Sequence, residues 1–392
     1  MYNLFKRNSK INDQKKILIF DDQLSGHHLE YLHHLYTGAV QDKANNYIFA
    51  LPEGFETKSE LRWDKADNIR FHLFKDQPFS TNKIKRSFEL SKFVKKIAQQ
   101  YCVDEVFFVS LMSVLPAISF VLPRSIKISG IIYLIYLYRW KESNLKLKIE
   151  DSIKYLLMSN GKQFKTVFLL NDEIAPIYLN KKFKTKVFQY LPDPFLLLPT
   201  ENLYNNLREK LHIPKENKII LHFGALAKRK GSLNILEAIS LCNEKDLKNL
   251  TFIFAGKVDD EIKVDFYQIV NEIRGNVQIN IFDEFCSYEF LASLCRLSDF
   301  LLIPYLMTSQ SSGVIGYAAQ FNKPVVVPGK GLIGKLVKKY KLGILLTDSS
   351  PAAIKSFICN INQYESMKID NNYIKDRTIV RFNDIIFSRF YV

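Results

Sequence analysis

Two short segments combine residue types suited to holding phosphate. In the first, Gly224-Ala225-Leu226-Ala227-Lys228-Arg229-Lys230-Gly231 follows the apolar run Ile219–Phe223 and precedes a helical pattern opening at Ser232. A helix start offers free backbone N–H groups and the positive end of its dipole, and lysine adds charge. The segment lacks G-x-x-x-x-G-K-[ST] and is not a P-loop. In the second, Ser309-Gln310-Ser311-Ser312-Gly313 lies between the apolar run Phe300–Ile303 and a helical pattern over Val314–Phe321. Serines there can cap the helix, and Gly313 puts no Cβ between the free N–H groups and a ligand. Alone, each has an ordinary explanation, a solvated basic turn and a plain cap. Both, however, follow strands of one predicted sheet, at the carboxyl ends where open α/β sheets take ligands. Together they suit a diphosphate, with Gly224, Arg229, Lys230, Ser311, Ser312 and Gly313 as the candidate contacts.

A third group is Gly26-His27-His28, just beyond the apolar run Lys16–Asp22. Either histidine could position a substrate hydroxyl or contact phosphate. The alternative is one imidazole in solvent and one packed at a helix start. His33 and His34, deeper in that helix, read as structural. No His, Cys, Asp or Glu set has metal-ligand spacing, so neither a metal nor a cofactor is expected.

These residues need a scaffold of βα units. Short apolar runs alternate with longer amphipathic ones throughout, the signature of parallel sheets flanked by helices. The first half predicts strands at Lys16–Asp22, Asn46–Leu51, Ile69–Phe74, Asp104–Ser110, Lys127–Leu134, Thr166–Leu170 and Lys186–Tyr190, with a helix over Asn82–Gln100. The second predicts strands at Lys218–Phe223, Leu250–Ala255, Val277–Ile281, Phe300–Ile303 and Pro324–Val327, with helices at Ser232–Cys242, Glu261–Arg274, Ser287–Leu297 and Val314–Phe321. Leu191-Pro192-Asp193-Pro194 interrupts the series, since prolines cannot continue a sheet interior. The predicted domains are 1–195 and 196–375, each Rossmann-like, with 376–392 as a helix that could cross back to the first.

A chain of 392 residues, 47% of them apolar, can fill two cores. Its net charge of +15 predicts attraction to polyanions and leaves nucleic acid, anionic membrane and phosphorylated substrates open. Cys102, Cys242, Cys286, Cys295 and Cys359 show no C-x-x-C spacing, which fits a reducing, cytoplasmic compartment. The N-terminus has no apolar core of a secretory signal, and the most apolar stretch, Ile126–Trp140, falls short of the ~20 residues that span a bilayer.

Residues 218–346 resemble the donor domain of glycosyltransferase family 4, a group of GT-B enzymes with two Rossmann-like domains facing each other across a cleft. The likeness rests on Ile219–Gly224 with Lys230-Gly231, Phe252–Gly256, Ser298-Asp299 through Pro304-Tyr305, Ser311-Ser312-Gly313, Lys323–Val326, and Gly331–Gly334 with Leu342-Gly343. A looser likeness runs through the first half, at Lys16–Asp22 with Gly26–Leu32 and at Leu191–Phe195. The resemblance implies that Lys230 neutralises a nucleotide-sugar diphosphate and that the Ser311–Gly313 amides hold it. It also implies that Gly26, His27 and His28 face the reacting sugar and acceptor, and that Asp283–Tyr288 lies near the nucleobase, making Phe285, Tyr288 and Tyr317 candidates for base or ribose contact. Family members often carry a Glu, seven residues, then a second Glu that touches the donor ribose. Here Tyr317 takes the second position and Ser309 or Gln310 the first, while Ala225 replaces a common arginine and Ser110 a common histidine.

The resemblance further implies metal-independent, retaining transfer in which the departing phosphate accepts the acceptor's proton. Preorganised N–H groups and a lysine suit that charge development. No carboxylate pair of the hydrolytic kind is needed, so Asp21, Asp22, Glu105 and Asp193 are given no catalytic role. Basic residues cluster with apolar ones in Asn82–Lys96 and Tyr138–Lys148, a pattern able to lie on an anionic membrane or simply to face solvent. Membrane contact would fit a lipid-linked acceptor in bacterial surface polysaccharide assembly, whereas a free saccharide acceptor needs none. The rival readings are a catalytically silent GT-B partner subunit, motivated by the missing carboxylates, and a basic nucleic-acid-binding protein, for which no motif accompanies the charge.

Overall fold

The computed structural model describes residues 14–24, 28–56, 62–75, 79–133, 144–201, 204–309, 312–365, 367, 369 and 372–391. The chain divides into two compact units, one of Met1–Tyr133, Ser143–Leu191 and Phe382–Val392, the other of Leu134–Glu142 and Pro192–Arg381.

The first unit holds a seven-stranded parallel sheet of β1 (Lys16–Phe20), β2 (Asn46–Pro52), β3 (Ile69–Phe74), β4 (Glu105–Phe108), β5 (Lys127–Ile132), β6 (Phe164–Leu170) and β7 (Phe188–Leu191), in the order β3-β2-β1-β4-β5-β6-β7. Central strands of such a sheet are covered on both faces and read as unbroken apolar runs. Ile17–Phe20 of β1 are accordingly all buried, whereas the edge strand β3 is buried at Ile69 and Phe74 but leaves Arg70 exposed. Phe382, Ile386, Phe387 and Phe390 pack into this unit's core beside Tyr47 and Phe107, and Asn383 Nδ2 donates to the His34 carbonyl at 2.8 Å.

The second unit holds a six-stranded parallel sheet of β8 (Lys218–Phe223), β9 (Leu250–Ala255), β10 (Gln278–Phe282), β11 (Phe300–Leu302), β12 (Val325–Pro328) and β13 (Gly343–Leu346), in the order β10-β9-β8-β11-β12-β13. Both sheets thus follow the doubly wound 3-2-1-4-5-6 pattern, whose direction of growth reverses between the first and fourth strands. That reversal falls between β1 and β4 in one unit and between β8 and β11 in the other. Chains leaving paired strands on either side of it diverge to opposite faces and open a crevice. The loops after β8 and β11 are the two segments singled out for phosphate.

Candidate functional site

In the second unit the two loops are fastened to each other. β8 ends at Phe223, and Gly224 turns the chain with φ +100°. A 3-10 turn over Lys228–Lys230 leads into Gly231 at φ +76°, and the helix Ser232–Ser240 follows. A Cβ on Gly231 would meet the Pro304 carbonyl oxygen at 2.3 Å, so only glycine lets the loop press this closely on the chain leaving β11. The Leu306 N–H donates to the Arg229 carbonyl at 3.1 Å and completes the seam.

Beneath the seam, His222 is buried in β8 and fixes the helix start to the sheet. A carbonyl can only accept, so Nδ1 carries the proton and donates to Leu302 O at 2.9 Å, leaving Nε2 to accept from the Ser232 hydroxyl at 2.9 Å. Burial pulls the imidazole pKa down to about 4, so this neutral tautomer persists through the physiological range.

Lys230 lies above. Its Nζ sits 3.7 Å from the centroid of the buried Tyr305 ring. Burial, reinforced by the like charge of Arg229, lowers its pKa to about 7. Among the described residues no carboxylate pairs with it, whereas neighbouring Lys228 pairs with Glu261 at 3.8 Å. The Tyr305 hydroxyl lies 3.0 Å from Ser312 Oγ, and burial raises its pKa to about 12, which keeps it protonated. Ser312 Oγ accepts from the Val314 N–H at 3.3 Å and caps the helix Gly313–Gln320. Tyr305 therefore touches both the cation and the cap. A Cβ on Gly224 or Gly313 would meet no described atom within 4 Å, so the backbone is open to approach at both loops. The arrangement offers a desolvated ammonium and, beside open space, the Gly313 N–H at a helix start, an anion-binding chemistry.

The other expected residues are placed as follows. Arg229 is exposed beside Lys230. Phe285 is 92% exposed on the loop after β10, and Tyr288 opens the helix Tyr288–Leu297 half-exposed. Tyr317 packs its ring against Phe195 and Phe223. Gly26, His27 and Ser311 lie outside the described residues. His28 opens the helix His28–Gln41 at the switch point of the first unit, and its Nδ1 lies 2.7 Å from Asp21 Oδ2 just past β1. Asp21 is fully buried; burial raises its pKa, outweighing the opposing pull of His28. Bonding to the carboxylate would fix the Nδ1–H tautomer of His28. Sequence reasoning assigned no role to Asp21, to Tyr305 or to His222. A polar residue within or at the end of an otherwise apolar strand was the available signal for Asp21 and His222, and Tyr305 had none.

Residues 204–377 match the model of the family described as glycosyl transferases group 1. No curated protein matches the chain's sequence. Among solved structures, the Anabaena protein HepE in complex with UDP-glucose superposes with a TM-score of 0.67 at 16% identity, covering 96% of this chain and 99% of that one. WaaG, a glycosyltransferase involved in lipopolysaccharide biosynthesis, gives 0.61 at 15% identity over 95% of this chain and 99% of its own. A UDP-forming trehalose-phosphate synthase from Burkholderia vietnamiensis gives 0.68 at 9% identity over 97% and 100%. These likenesses give the chain the GT-B fold.

Proposed function

We propose that this chain, with its GT-B fold and group 1 glycosyl transferase match, is a glycosyltransferase that moves a sugar from a nucleotide-diphosphate donor to a saccharide or lipid-linked acceptor. The observation that carries the reading is the Lys230–Tyr305–Ser312 arrangement at the switch point of the second sheet. A desolvated ammonium without a described carboxylate partner gains most when a dianion arrives, and the N–H of Gly313 at the helix start adds a second hold on it. Solved neighbours of the same fold were captured with UDP, UDP and glucose, or UDP-glucose, which supports a uridine donor as the first to try.

In the reaction, negative charge grows on the leaving phosphate, and Lys230 with the helix N–H groups stabilises it in place. We infer retention of configuration, with the departing phosphate taking the acceptor's proton. His28, oriented by Asp21, is assigned to hold the acceptor hydroxyl. An acceptor at a membrane surface is supported by the helix Leu145–Met158, which exposes Leu145, Ile149, Ile153 and Leu156 along one face with the exposed Lys146 at its edge.

The test is to follow heat shift and donor hydrolysis with UDP-glucose and a panel of other nucleotide sugars. Donor-dependent release of nucleoside diphosphate is the expected result. Silence toward the whole panel would instead favour a catalytically inert partner subunit. Lys230→Ala should weaken UDP binding by about 1.5–3 kcal/mol, the worth of a hydrogen bond to a charged group. Unchanged affinity would remove Lys230 from the site.

A further inference from the structure

Cys242, Asp246 and Cys359 lie far apart in sequence, yet their Sγ and carboxylate oxygen atoms all fall within 4.8 Å of one another in the second unit. Cys242 follows the end of the helix Ser232–Ser240, and Cys359 is the last residue of the helix Pro351–Cys359. Two helix C-termini therefore converge here, and each brings the negative end of its dipole. Asp246 sits in the turn Glu244–Leu247, where Oδ2 accepts from the Asn243 N–H at 3.2 Å and Asn243 Oδ1 in turn accepts from the Asp246 N–H at 3.0 Å. That reciprocal cap fixes the carboxylate beside the thiols. Cys359 lies within hydrogen-bonding reach of both Asp246 and Cys242, and it is exposed. Lys355, a turn before Cys359 on the same helix, brings a charge that opposes a cation.

We propose that these three side chains form a binding site for a soft divalent cation of the zinc class, with water completing the shell. Two thiolates and one carboxylate are a donor set that selects such an ion over magnesium or calcium. Around a tetrahedral centre with metal–sulfur bonds of ~2.3 Å and a metal–oxygen bond of ~2.0–2.2 Å, donor atoms lie about 3.6–3.8 Å apart. Closing from the present spacing takes a shift of about 1 Å, within reach of a terminal, exposed Cys359. On binding, each thiol releases its proton to solvent and the cation takes the place of both. The bound ion ties the ends of two packed helices together. One of those helices begins at Ser232, under the phosphate loops, and at 1.5 Å per residue its far end lies ~13 Å away. The ion thus acts as a structural clamp outside the donor site, and the inference does not rest on the glycosyltransferase reading.

The experiment is a cobalt titration of the chelator-stripped, reduced protein. A thiolate-to-cobalt charge-transfer band saturating at one equivalent per chain, and abolished by zinc, is expected. Cys242→Ser and Cys359→Ser should each weaken cobalt binding by more than the roughly 10–100-fold that losing an outer-shell partner costs. Cys102→Ser, at the other exposed cysteine, should leave the band intact. Absence of a thiolate band in the wild type, or its persistence in both Cys242→Ser and Cys359→Ser, overturns the site. Should a serine variant melt poorly, the wild type decides alone, because zinc must raise the melting temperature of the stripped protein and Asp246→Asn must reduce that rise.

Discussion

Lys230 holds its proton weakly, at a pKa of about 7, because its ammonium is taken out of water beside Arg229 and rests on an aromatic face. A diphosphate favours the charged form and should restore the proton. UDP affinity is therefore expected to fall as pH rises from about 7 to about 9, by up to ~10-fold per unit, and Lys230→Ala should flatten the dependence. Calorimetry across that range checks it, and an equally steep slope in the variant would assign the proton elsewhere. Stability carries the opposite sign. Between about 7 and the unfolded value of 10.5, the unfolded chain binds a proton that the folded one lacks, so stability rises with pH there. The sequence made Lys230 and the Ser312 cap legible, since a basic turn and a serine before an apolar helix each carry a local signature. Tyr305 carries none. An aromatic after a short strand reads as core, and only the folded loops show its hydroxyl on Ser312 and its ring under Lys230.

At the scale of elements, the site is the meeting of two strand ends and two helix starts. Ser312→Ala should cost about 1 kcal/mol by loss of the cap, which for a unit of this size lowers the melting temperature by roughly 2–4 °C. Gly231→Ala is expected to cost more and to weaken nucleotide binding as well, because its left-handed φ and its 2.3 Å approach to Pro304 are both denied to alanine. Thermal melts with and without UDP separate the two effects; a Gly231→Ala protein that binds UDP normally would show that the seam tolerates opening. Twelve of the thirteen strands were readable from apolar runs. The exception, Gly343–Leu346, is four residues long at a sheet edge and opens with a glycine, so it offers too little periodicity to stand out. The Cys242–Asp246–Cys359 cluster was invisible for a different reason, because its members sit on three elements that only the fold brings together.

Across the whole molecule, the net charge of +15 is not spent on a recognised nucleic-acid motif, and much of it shares helices with apolar residues. No helix among the described residues is long and apolar enough to cross a membrane. Co-sedimentation with liposomes should rise with anionic lipid content and fall when Leu145 and Ile149 become serine; binding indifferent to lipid charge would argue for a freely diffusing acceptor. Residues 138–143 of the basic stretch read from sequence lie outside the described residues, and the apolar exposure is that of the helix Leu145–Met158. Alternation of strands and helices made both sheets legible, and a helix over 376–392 able to cross back was expected from sequence; which of its residues, Phe382, Ile386, Phe387 and Phe390, would complete the first core was not. That detail has a consequence for how the chain is made. On the ribosome, every strand of the first sheet has been synthesised by Leu191, yet the phenylalanines that seal its core follow only after Pro192–Arg381. At roughly 5–20 residues per second, that interval is about 10–40 s, during which the earlier half waits with an apolar face uncovered while the later half can already fold.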